Sequence, residues 1–93
     1  MNKVESLGII DVLYLTTALS LVDEMCKASN VKLIACEAAL GGKLVTLFIQ
    51  GSVSDVQEAI EVAKNTCDTK FVGRCKNAVV ISKPHKEILK FIM

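Results

Sequence analysis

The feature that most restricts this 93-residue chain is the order in which its apolar periodicity switches between strand and helix. Leu7-Gly8-Ile9-Ile10 is a short apolar run of strand character that Asp11 ends, after which the period lengthens. From Leu15 onward Ala18, Leu19, Val22, Met25 and Cys26 recur at helical spacing and form one stripe, with Thr16, Ser20, Asp23, Glu24 and Lys27 on the other side. Tyr14 and Leu21 widen this stripe, either toward a neighbouring subunit or as a broad core face. Asn30 marks a turn, and Val31–Cys36 and Leu44–Ile49 read as two strands. Gly41-Gly42 between them permits the backbone angles of a tight loop, which predicts a hairpin. Ser52 followed by Asp55 has the form of a helix N-cap, and Val53, Val56, Ala59, Ile60, Ala63 and Cys67 carry a second helix to about residue 65 or 67. A last strand, Cys75–Ser82, follows Gly73 and stops before Pro84, which cannot donate to a ladder; Lys86–Met93 reads as a short amphipathic helix.

Strand, helix, strand, strand, helix, strand is the order of a ferredoxin-like α+β fold: a four-stranded antiparallel sheet with both helices on one face. The other face is left for a partner, a ligand or the tail. The length suits one domain with one core, and no linker, repeat or low-complexity stretch divides it. Hydrophobic residues make up 52% of the chain, more than a small monomer needs, so part of the apolar surface is expected to meet other subunits. A net charge of +1 with the two signs interspersed argues against nucleic acid. Met1–Glu5 lacks a signal-peptide core and no apolar run is long enough to span a bilayer, which together predict a cytoplasmic protein.

Catalysis needs a nucleophile beside a base, convergent carboxylates or metal ligands at workable spacing, and the sequence presents none, so no catalytic residue is assigned. His85 is the single histidine and has no second ligand near it, so neither a metal nor a cofactor is expected. The four cysteines, Cys26, Cys36, Cys67 and Cys75, lie far apart in no ligand-like pattern and are expected to be buried, reduced thiols. A thiol enzyme would have to use Cys75, beside Arg74 and Lys76, but strand alternation aims its side chain away from theirs. Gly41-Gly42-Lys43 lacks the strand-before, helix-after context of a phosphate loop.

Five segments in this order resemble the bacterial-microcompartment (BMC) domain of single-domain hexameric shell proteins. They are Ser6–Asp11, Asp23–Val31, Leu44–Thr46, Ile49–Val53 and Ser82–His85, so the similarity covers nearly the whole chain and implies one shell domain over 1–93. The resemblance implies a structural, non-enzymatic subunit that forms homohexameric rings, which tile with other shell proteins around encapsulated enzymes. It implies a location in the microcompartment shell, in the cytoplasm, with no nucleic acid and no membrane as partner. By the same resemblance Lys27 and Asn30, with Lys83, Pro84 and His85, lie at the ring edge, Lys83 standing where arginine is common. Leu40, Gly41, Gly42 and Lys43 would line a central pore for small polar metabolites. The chain departs from the family pattern in two places: the loop is one residue longer before Leu44, and a glycine that often follows the first strand's acid is missing from the Val12-Leu13-Tyr14 stretch. The rival from another class is a ferredoxin-like oligomeric regulator that binds a small ligand between subunits.

Overall fold

A computed structural model describes residues 5–92; the sequence-based expectations at residues 1–4 and at Met93 lie outside them. The elements are β1 (Ser6–Leu13), α1 (Leu15–Ala28), β2 (Lys32–Ala39), β3 (Leu44–Gly51), α2 (Val53–Lys70), β4 (Cys75–Ser82) and α3 (Lys86–Ile92). The strands form one antiparallel sheet in the order β2-β3-β1-β4, which is the ferredoxin-like arrangement.

Strand alternation divides the sheet's residues between its two faces. Ile10 and Val12 of β1 and Val45, Leu47 and Ile49 of β3 turn to one side. There they join Ala18, Leu21 and Met25 of α1 and Val56, Ala59, Ile60 and Ala63 of α2 in a single core. Burying each of the larger side chains contributes about 1.5–3 kcal/mol. Gly8 lies on the same face because α2 approaches closely: a Cβ there would sit 2.8 Å from Cγ1 of Ile49 and 3.1 Å from Cγ1 of Val56. The N-terminus of α2 is capped by Ser52, whose Oγ accepts from the Asp55 N–H at 3.1 Å and donates to Asp55 Oδ2 at 2.8 Å.

The register places Leu7, Ile9 and Asp11, Thr46 and Phe48, and Asn77, Val79 and Ile81 on the opposite face. The C-terminal helix takes part of that face: Ile88 and Ile92 of α3 meet Ile9 and Phe48 around an apolar cleft of about 420 Å³.

Several expectations need correction. Asp11 does not end β1, which continues to Leu13, because its carboxylate is met from both neighbouring strands: Thr46 Oγ1 donates to Oδ1 at 2.6 Å and Asn77 Nδ2 to Oδ2 at 3.3 Å. In α1, Leu21 is in the core, whereas Leu19 and Cys26 are exposed; the core stripe runs through Thr17, Ala18, Leu21 and Met25. The second strand begins at Lys32 and runs on to Ala39, and α2 extends to Lys70. The expectation of four buried thiols fails at every cysteine. Cys26 and Cys36 are exposed, while Cys67, at the last turn of α2, and Cys75, at the first residue of β4, are joined in a disulfide with their Cα atoms 6.1 Å apart.

Candidate functional site

At one end of the sheet β2 and β3 are joined by a single 3-10 turn, Leu40–Gly42. Leu40, Gly41 and Gly42 have φ of 53, 67 and 88°, so the chain reverses through three successive left-handed residues. Glycine adopts that region freely; leucine does so only under constraint from its surroundings. No described residue lies within 4 Å of where a Cβ on Gly41 or Gly42 would be, and Leu40 is 72% exposed, so the turn projects away from the rest of the described fold. Lys43 is exposed as well, and its N–H donates to the Leu40 carbonyl at 3.4 Å.

This turn is fastened to the rest of that end. The Lys43 carbonyl accepts the Tyr14 N–H at 2.9 Å, and the Leu13 N–H donates to the Arg74 carbonyl at 2.7 Å. The Arg74 guanidinium lies 5.3 Å from the centroid of the Tyr14 ring and 5.7 Å from that of Phe71, and its Nη1 donates to the buried Thr17 Oγ1 at 3.2 Å. Tyr14 occupies the N-cap of α1 with φ 71° and ψ 135°, and among the described residues no side-chain hydrogen bond caps the helix. That conformation favours glycine, the residue that the family resemblance finds missing from this stretch. An exposed apolar strip of Tyr14, Leu15 and Leu19 runs from here along α1, in place of the Tyr14 and Leu21 flank expected from the sequence.

The residues expected at a ring edge gather at the opposite end. Lys32 pairs with Gln50, Ser6 with Gly51 and Ser6 with Ser82, which puts Asn30 and the Lys83-Pro84-His85 segment at the same end of the sheet on opposite flanks. The backbone carbonyl of Asn30 packs over Gly51, 3.0 Å from where a Cβ would stand. Lys27, in the last turn of α1, is exposed and pairs with Asp23 one turn earlier, Nζ to Oδ2 2.8 Å. The hydrogen bond that Lys27 donates to Asp23, and then the charge of that carboxylate, hold the Lys27 ammonium above the ordinary value of 10.5. Lys83 has φ 53°, held by its N–H donating to the Glu5 carbonyl at 2.8 Å. His85 opens α3: its Nδ1 accepts the Glu87 N–H at 3.1 Å and its carbonyl accepts from Ile88 and Leu89.

Strands of eight residues separate the two groups, a span of about 25 Å. The structure thus brings Leu40–Lys43 together at one end and Lys27, Asn30, Lys83, Pro84 and His85 at the other. Sequence reasoning missed the Arg74 clamp and the Asp11–Thr46–Asn77 row, whose partners come from strands and helices remote in sequence. Among the described residues no group of three or more His, Cys, Asp or Glu side chains is arranged to hold a metal ion, and no helix is long and apolar enough to cross a membrane.

Comparison with known proteins gives a consistent result. The chain is 33% identical over 88 residues to the bacterial microcompartment shell protein PduA of Citrobacter freundii, covering 95% of this chain and 91% of that one. It is 32% identical over 83 residues to the carboxysome shell protein CsoS1A of Hydrogenovibrio crunogenus, covering 89% and 84%. Among solved structures, a microcompartments protein from Desulfitobacterium hafniense DCB superposes with a TM-score of 0.75 at 20% identity. The match covers 91% of this chain and 44% of that longer one, and so speaks for the fold. The BMC domain profile matches residues 6–84, so the chain belongs to the BMC-domain family.

Proposed function

We propose that the chain is a structural shell subunit of a bacterial microcompartment, one domain spanning 1–93, which assembles into hexameric rings that tile into a shell and carries no chemistry of its own. It then resides in the shell within the cytoplasm, beside other shell proteins and the enzymes they enclose. Its relatives are named as shell proteins of microcompartments and carboxysomes. The observation that carries the proposal is the separation of the two residue groups along the strands. A ring subunit needs one end for the axis and the other for the perimeter, and the glycine turn and the Lys27 and Lys83–His85 group lie at opposite ends.

In this arrangement copies of the Leu40–Lys43 turn surround the pore, the glycines letting backbone approach the axis and present N–H groups to small polar solutes. Lys43 adds positive charge to that opening, and rings of charge set pore selectivity. Lys27, Asn30, Lys83, Pro84 and His85 meet the next ring. The exposed Tyr14, Leu15 and Leu19 strip supplies apolar area for contacts between subunits.

Native mass spectrometry at micromolar concentration tests the ring directly: a hexamer is expected, and monomer alone overturns the proposal. Lys27→Asp should leave rings intact while abolishing the sheets or tubes seen by electron microscopy. Lys43→Glu in intact rings should shift solute flux from anions toward cations, and unchanged selectivity would place Lys43 off the axis.

A further inference from the structure

The disulfide between Cys67 and Cys75 lies at the end of the sheet that carries the glycine turn. It closes the segment 68–74 across the junction of α2 and β4, and Arg74, the last residue of that segment, stacks on Tyr14 and Phe71 and bonds Thr17. Cys67 is nearly buried and Cys75 partly so, yet both line an open cleft of about 240 Å³ with Lys64, Asp68, Lys76, Asn77 and Ala78. A small molecule therefore has a path to both cysteines, and two lysines against one aspartate along the cleft favour one that carries carboxylates. The Cα separation of 6.1 Å falls in the range that either bonds or separates without backbone movement. Thiol-reducing surroundings keep most cytoplasmic cysteines reduced, so a bonded pair there marks exchange chemistry more often than permanent bracing.

We propose that Cys67 and Cys75 form a reversible thiol–disulfide couple that exchanges with small anionic disulfides and thiols of the glutathione class. Oxidation then latches segment 68–74 and, through Arg74, the junction at Tyr14. The thiolate of the more accessible Cys75 attacks the small disulfide, forming a mixed disulfide and releasing one thiolate. The Cys67 thiolate attacks Cys75 Sγ in turn and expels the second. Both small thiolates take up the protons the cysteines gave to solvent, so one disulfide is consumed, two thiols are released and the protein loses two hydrogens. The reverse sequence, begun by a small thiolate attacking Cys75 Sγ, reopens the segment. None of this depends on ring formation.

The experiment incubates the intact protein with oxidised and then with reduced glutathione, followed by alkylation under denaturing conditions and intact-mass measurement. Four cysteines should label after reduction and two after oxidation, and the change should reverse in the folded protein. Tryptic digestion of the oxidised form should yield peptide 65–70 linked to peptide 75–76. Amide exchange at 68–74, Leu13 and Tyr14 should slow by about tenfold or more on oxidation, since closing a short loop restricts its opened states. Cys26→Ser with Cys36→Ser should keep the whole response, and Cys67→Ser with Cys75→Ser should abolish it; if the latter variant does not fold, the former carries the test alone. Oxidation confined to Cys26 or Cys36, a Cys67–Cys75 bond that resists reduced glutathione in the folded protein, or exchange rates indifferent to redox state would each overturn the proposal. Because the readouts are chemical and local, they stand or fall separately from native mass spectrometry of the ring.

Discussion

Replacing Tyr14 by glycine and by alanine separates two effects that the wild-type residue combines. The Tyr14 backbone is held at φ 71° and ψ 135°, a region that costs a residue bearing a Cβ about 1–3 kcal/mol. Tyr14 is 46% exposed and its ring stacks under Arg74, a contact worth about 0.5–1 kcal/mol at such a site. Both substitutions lose the stack and neither opens a large cavity, so the difference between them isolates the backbone. Glycine removes the strain but gives back about 0.4–1 kcal/mol through the greater freedom of its unfolded chain. The glycine variant should therefore be more stable than the alanine variant by about 1–2 kcal/mol. For a domain of this size that separates their melting temperatures by very roughly 5–15 °C. Thermal unfolding followed by circular dichroism, at matched subunit concentration because assembly shifts apparent stability, reads the difference. An alanine variant as stable as the glycine variant would refute the claim that Tyr14 occupies a conformation reserved for glycine.

Gly8→Ala should lose about 1–3 kcal/mol in urea titration, because its new methyl meets Ile49 and Val56 where α2 crosses the sheet. Leu21→Ala should cost about 2–5 kcal/mol, whereas Leu19→Ala, on the exposed strip, should leave subunit unfolding nearly unchanged and lower the fraction assembled in native mass spectra. Lys27 has a folded value raised above 10.5 by Asp23, so its contribution is complete below the unfolded value and is lost only as pH rises through the folded one. Urea midpoints of wild type and Lys27→Met should accordingly keep a constant gap from about pH 6 to 9, and that gap should shrink only in strongly alkaline buffer.

How much of this was legible follows from the range of each interaction. The order of elements, the Ser52 cap and the glycine hairpin are written in neighbouring residues, and each is found in the structure. Asp11 misled because a carboxylate in a strand reads as a stop unless its partners are known, and Thr46 and Asn77 are 35 and 66 residues away. Leu19 and Leu21 both suit a wide stripe; which of them enters the core depends on the rotation of α1 over the sheet, and that rotation is set by contact with α2. Cys67 and Cys75, eight apart, match no local motif; they meet because one lies in the last turn of α2 and the other opens β4, on either side of the turn that joins the two elements. The family resemblance supplied the edge and pore assignments, which a single chain's physics does not contain, because axis and perimeter exist only once copies assemble.

Among the described residues, left-handed conformations in residues other than glycine occur at Tyr14, Leu40 and Lys83. Each lies at a strand end, and each is fixed by a main-chain hydrogen bond nearby: Tyr14 to Lys43, Leu40 from Lys43, Lys83 to Glu5. Tyr14 and Leu40 stand at the end proposed for the ring axis, Lys83 at the end proposed for the perimeter. A fold that needed only its own stability would place glycine at such positions, as it does at Gly41, Gly42 and Gly73, and avoid the penalty. Strain of this kind persists where a side chain has a task that glycine cannot perform. An exposed tyrosine stacked on Arg74, a leucine at the tip of the turn and a lysine beside Pro84 each hold a side chain out from the subunit, which a surface built to meet its neighbours requires.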